Sequence, residues 1–196
     1  MALLVVLAVA VGGWVARVAL PRILAPDRLA GTAFPHPEPA PSLAGLRTVD
    51  GEAVDLADHR GQVVLLFFGY RSCPDICPVT LAKVARAIDQ LGGDADRVQV
   101  YMVTVDPARD RPQGLQDYVE HFDPRFVGLT GSDQATAEAA ARYGIFYDAH
   151  EPAADGSYAV DHTASITGID ATGRLKVVWS FDTTVDNLVH DIRALQ

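Results

Sequence analysis

Cys73 and Cys77 are the only two cysteines in a chain of 196 residues, and they stand four apart in GYRSCPDICPVTL, residues 69–81. Residues at i and i+4 share one face of a helix, so a helix starting between them would turn both sulfurs toward one point. Pro74 and Pro78 suit such a start, because first-turn N–H groups have no partner inside the helix. Those free N–H groups and the positive end of the helix dipole favour thiolate, which predicts lowered thiol pKa values here. Two close, readily ionised thiols make either a redox pair or a soft-metal site. A plain stabilising disulfide is the ordinary alternative, but closing so short a loop removes little unfolded-state entropy. Zinc in a closed structural site wants four nitrogen or sulfur ligands, and no second cysteine pair is present. Thiolates favour Cu(I), for which a low coordination number suffices.

The elements around the motif follow from the apolar pattern. LRTVDGEAVDL alternates around Asp50-Gly51 and predicts a β-hairpin with a tight turn. QVVLLFFGY (62–70) is a continuous apolar run, as expected of a strand buried on both faces. CPVTLAKVARAIDQL (77–91) carries a helical stripe ended by Gly92-Gly93, so the cysteines sit at a strand-to-helix turn. VQVYMVTVD predicts a second buried strand, RPQGLQDYVEHF a helix opened by proline, FVGLT a short strand, and residues 132–143 a further helix. ASITGID and RLKVVWSF then form a hairpin around residues 171–173, and TVDNLVHDIRAL closes the chain as a helix. This order predicts a thioredoxin-like, three-layer α/β fold with an N-terminal β-hairpin extension. Ligand chemistry in such sheets belongs at the carboxyl ends of the strands, where the cysteines are.

A third donor should come from a loop at the same end. Of six histidines, His36 falls in a proline-rich stretch, and His121 and His190 fall on helices among charged neighbours. With His59, which follows the first hairpin, they read most simply as solvated or half-buried residues; His150 is left open. His162, in YAVDHTASITGID, stands immediately before the antiparallel hairpin. In thioredoxin-like folds that loop abuts the cysteine turn, and the residue before the threonine is usually a cis-proline. A histidine there puts an imidazole against the thiols.

The chain carries a formal charge of −9, and residues 48–196 hold 12 basic against 23 acidic groups, which argues against nucleic acid as a partner. ALLVVLAVAVGGWVA (2–16) lacks charge; extended to Leu24, with Arg17 and Arg22 snorkelling, it is long enough for a single membrane helix. A cleaved signal peptide is the competing reading, for which a basic leading region is missing. The expected organisation is therefore an anchor or signal segment (1–24), a proline-rich linker (25–41) holding the domain off a surface, and a thioredoxin-like domain (42–196).

CPDICP after an apolar strand, VTVDPARD (103–110) after the next and VDHT (160–163) before the last hairpin together resemble the Sco/SenC family over residues 41–196. These are membrane-anchored, copper-binding proteins of thioredoxin fold that help assemble the binuclear copper centre of cytochrome c oxidase. The resemblance implies Cys73, Cys77 and His162 as ligands of Cu(I) or Cu(II). It also implies a copper-receiving oxidase subunit and a thiol reductant as partners, and a place on the outer side of a bacterial-type cytoplasmic membrane. Asp106 and Asp110 match the family's acidic loop, and Asp75 and Asp161 flank the ligands; turn and capping work is their ordinary alternative. Peroxiredoxins share the scaffold, but their peroxidatic cysteine has a threonine three residues before it, where this chain has Tyr70. The readings that remain are a copper metallochaperone and a thiol-disulfide reductase using Cys73 and Cys77 as a redox pair. Only the first needs a histidine at 162.

Overall fold

The structure is a computed structural model describing residues 28–196. The apolar run over 2–24 lies outside the described residues. In chain order the elements are β1 (Thr32–Ala33), β2 (Val63–Gly69), α1 (Ile76–Leu91), β3 (Val98–Thr104), α2 (Pro112–Glu120) and β4 (Phe126–Leu129). They continue with α3 (Asp133–Arg142), β5 (Tyr147–Ala149), β6 (Val160–His162), β7 (Ile166–Ile169), β8 (Leu175–Trp179) and α4 (Val185–Leu195).

Six strands form one sheet in the order β1-β8-β7-β2-β3-β4, while β5 and β6 make a separate ribbon. All seven residues of β2 are buried: β3 and β7 pair along its two edges, and Cys77 of α1 and Tyr143 pack on its opposite faces. Full burial on two faces is why its sequence is continuously apolar rather than alternating. Helix α1 buries Leu81, Val84, Ile88 and Leu91, each worth about 1.5–3 kcal/mol if fully transferred from water. Ser132 and Thr184 cap α3 and α4 by accepting the N–H groups of Ala135 and Asn187.

The layers can be read from contacts on β2 and its neighbours. Cys77 of α1 packs against Gly69, Leu115 of α2 against Gly128, and Trp179 bonds Asp191 of α4. On the other face Phe68 meets Tyr143, just beyond α3. Helices thus cover both faces, as the three-layer expectation required.

Two expectations are corrected. The N-terminal hairpin is only a tight turn: the Gly51 N–H donates to Thr48, the Thr48 N–H donates to Glu52, and Arg47 bridges Ala53. Arg47 also bridges Thr130 beyond β4, and Leu56 enters a 3-10 turn capped by Asp55, so the pairing has no length over which to continue. The described part of the expected linker does not stand off. Thr32–Ala33 pair with β8, and the N–H groups of Ala30 and Gly31 donate to the fully buried Asp191 at 2.8 Å each. Its prolines cannot donate to a ladder, which confines the segment to the sheet edge.

Candidate metal centre

Residues 70–75 carry the chain from β2 into α1. Asp75 holds the cap position but makes no side-chain capping bond. Instead the Cys77 N–H donates to Cys73 Sγ at 3.3 Å, so a sulfur stands where a capping oxygen would. Cys77 Sγ in turn lies against the strand end, where an ideal Cβ on Gly69 would be 2.8 Å away. Only a residue without a side chain leaves that room.

His162 ends β6 and brings Nε2 to 3.3 Å from Cys77 Sγ. Its ring meets Phe67 and Tyr70 edge to face, with centroids 6.1 and 5.9 Å away. Nδ1 lies 3.3 Å from the Thr163 carbonyl oxygen; with its proton donated there, Nε2 presents a lone pair to the sulfurs. One donor atom from each of Cys73, Cys77 and His162 lies within 4.8 Å of the others, the one such cluster among the described residues. Both cysteines are free thiols, Cys73 half-buried and Cys77 buried.

Burial pushes the Cys77 thiol well above its ordinary pKa, the reverse of the shift expected from a helix start. Desolvating a thiolate in a fully buried position outweighs the attraction of helix-terminal N–H groups. Burial also pushes His162 below its ordinary value, so the imidazole is neutral at pH 7 and ready to act as a ligand. A metal bound here must displace the thiol proton, as metal sites commonly do.

The remaining candidates separate into rim and interior. Asp75 and Asp161 are exposed beside the cluster, and Asp161 pairs with His150 at 2.9 Å, which pushes His150 up. Asp106 and Asp110 are buried and outside the donor cluster. Asp110 accepts from the Arg71 N–H at 3.1 Å and the Thr104 hydroxyl at 2.7 Å, while burial raises its pKa. His59 is half-buried and bonded to Tyr101 and Gln62; His36, His121 and His190 are exposed. Sequence reading overlooked the walls of the site, Phe67 and Tyr70, although both belong to the apolar run leading into it.

Fold and site together define a thioredoxin-like α/β domain with a Cys–Cys–His cluster at its central strand-to-helix turn. The family model described as SCO1/SenC matches residues 45–196, and the chain belongs to that family. The structure of apo Sco1 from Thermus thermophilus is 40% identical with a TM-score of 0.77, covering 86% of this chain and 98% of that one. Bradyrhizobium japonicum ScoI with copper bound is 31% identical with a TM-score of 0.70, covering 85% of this chain and 99% of that one. The mitochondrial SCO2 homologue of Homo sapiens is 41% identical over 125 residues, 63% of this chain and 47% of that protein. The SCO2-like protein of Rickettsia conorii is 32% identical over 145 residues, 74% of this chain and 71% of that protein. This chain spans about half the length of the mammalian relatives it matches.

Proposed function

We propose that this chain binds copper through Cys73, Cys77 and His162 and delivers it to the copper-receiving subunit of cytochrome c oxidase. The observation that carries this reading is the meeting of two sulfurs and one imidazole nitrogen within 4.8 Å. Soft thiolates select Cu(I), and the nitrogen beside them suits Cu(II) with water or a carboxylate in the remaining position. The half-buried Cys73 gives the cargo a way in and out, past Asp75 and Asp161. Bradyrhizobium japonicum and Arabidopsis thaliana ScoI, 31% and 30% identical, are described with copper bound, which supports the same cargo here. The oxidase as destination follows from the family resemblance. So do anchoring by residues 2–24 and placement of the domain outside a bacterial-type cytoplasmic membrane.

A second reading is favoured by the unequal exposure of the thiols. As a reductase, Cys73 would attack an acceptor disulfide as thiolate, releasing one acceptor thiol and forming a mixed disulfide. Cys77 would then displace the second thiol, leaving a Cys73–Cys77 disulfide and two electrons on the acceptor; an external thiol reductant would restore the pair. Copper content and affinity of the reduced chain, wild type beside His162→Ala, test the choice. The carrier reading expects one copper per chain and sharply weaker binding in the variant, with dithiol reactivity intact. Equal affinity in the two proteins would make the reductase the better reading.

A further inference from the structure

His162 sits on a ribbon that is not hydrogen-bonded into the six-stranded sheet. The loop joining β5 to β6 is exposed over residues 151–157, while Val160 within the ribbon is buried in the core. Side chains from the body add directional contacts to that packing. Arg109, in the loop after β3, stacks its guanidinium 3.5 Å from the centre of the Tyr158 ring. It donates to the Tyr158 carbonyl oxygen at 2.8 Å and pairs with Asp106, whose side chain is 4% exposed. The Tyr158 hydroxyl donates to the same carboxylate at 2.8 Å. Arg109 also lies 5.7 Å from the centre of the Tyr70 ring, and the Tyr70 hydroxyl accepts the Val160 N–H at 3.2 Å.

These contacts hold the chain at Tyr158, two residues before β6 begins, and the strand itself at Val160, two residues before His162. Strand side chains repeat every two residues, so a shift at Val160 carries His162 with it. The anchor is stiff for a chemical reason. A planar guanidinium that stacks, donates to a carbonyl and pairs with a buried carboxylate has little freedom left, whereas an ammonium could satisfy only part of this geometry.

We propose that Arg109 and Tyr158 are positioning residues that latch the β5–β6 ribbon and so set the place of His162 in the metal centre. The proposal rests on the copper reading above. Groups that orient a metal ligand without touching the metal typically change affinity by about 10–100-fold when removed.

A double-mutant cycle on the reduced full chain in detergent tests it, using wild type, Tyr158→Leu, His162→Ala and the double variant. Cu(I) affinity is read by competition with a chromophoric chelator, and the Cu(II) site by its thiolate charge-transfer band and electron paramagnetic resonance spectrum. Tyr158→Leu should weaken binding about tenfold or more and alter the Cu(II) spectrum, while adding it to His162→Ala should cost nothing further. Tyr158→Phe, which keeps the stack and the carbonyl bond, should recover most of the affinity. If Tyr158→Leu leaves affinity and spectrum unchanged, or if the two losses add in full, the latch is rejected. If His162→Ala binds as wild type does, the copper reading itself fails. Arg109→Lys, which keeps the charge opposite Asp106, is judged by the same criteria should Tyr158→Leu not fold.

Discussion

Cys77 and His162, 85 residues apart in the chain, approach to 3.3 Å between Sγ and Nε2. The contact lies on the buried side of the cluster, and Cys73 forms its open side. Alkylation of the metal-free chain at neutral pH should therefore modify Cys73 first, because Cys77 is both inaccessible and held protonated by burial. Peptide mapping after brief iodoacetamide treatment checks the order. Equal labelling would mean that the buried sulfur opens to solvent readily.

Gly69→Ala should damage the site more than the fold. The added Cβ would meet Cys77 Sγ at 2.8 Å, and Phe67 and Met102 crowd the same point. Overpacking of this kind costs about 1–3 kcal/mol, and the sulfur is the neighbour nearest the helix start, where movement is easiest. Copper affinity should fall, with a smaller loss in thermal stability. Unchanged affinity in a folded variant would show that Cys77 tolerates the displacement.

A chain beginning at Pro41 should be less stable than one beginning at Arg28. Asp191 is fully buried and bonds Ala30, Gly31 and the Trp179 indole N–H. Starting at Pro41 removes two of these three partners, and a buried polar group left short of partners costs about 1–3 kcal/mol. Urea unfolding of the two chains measures the difference; identical midpoints would mean that water replaces the lost donors.

Asp123 accepts the Arg125 backbone N–H at 2.9 Å and two guanidinium N–H groups at 2.8 and 2.7 Å, which hold its carboxyl below the usual range. A lowered folded pKa stabilises the protein above the unfolded value of about 4, and that contribution is lost as pH falls through the folded value. Asp123→Asn should be about 1 kcal/mol less stable at pH 7. The gap to wild type should close on acidification toward pH 2. A gap that stays constant between pH 7 and 2 would remove the ion pair as its cause.

In the anchored chain proposed above, only residues 25–27 separate the apolar run from Arg28, a reach of about 10 Å. Thr32 pairs with Val178, next to Trp179, which lies opposite Ile166, itself opposite Phe67 near the cysteine end of β2. The chain thus joins the sheet at the end that holds the cluster, three strand spacings away, about 14 Å. With the four residues from Arg28 to Thr32 added at full extension, copper should then sit no more than about 40 Å from the lipid headgroups. Electron–electron distance measurements between Cu(II) and spin-labelled headgroups in nanodiscs check this, and separations far beyond that distance would overturn the orientation.

The cysteine turn, the buried strands β2 and β3 and the helical stripe of α1 were legible in the sequence because each is specified locally. A strand covered on both faces reads as an unbroken apolar run, and a helix start accepts proline. The place of His162 was legible too, from its position before the β7–β8 hairpin. Three things were decided only in three dimensions. The β5–β6 ribbon has three residues per strand and is held from outside by Tyr70, Asp106 and Arg109, 49 to 90 positions away in sequence. The stretch from Arg28 to Pro41 looked like a free linker, since prolines hide a strand edge and its main anchor, Asp191, lies 160 residues further on. The protonation of Cys77 followed neither motif nor spacing: a helix start acts over one turn, but the desolvation that overrides it comes from everything packed around the sulfur.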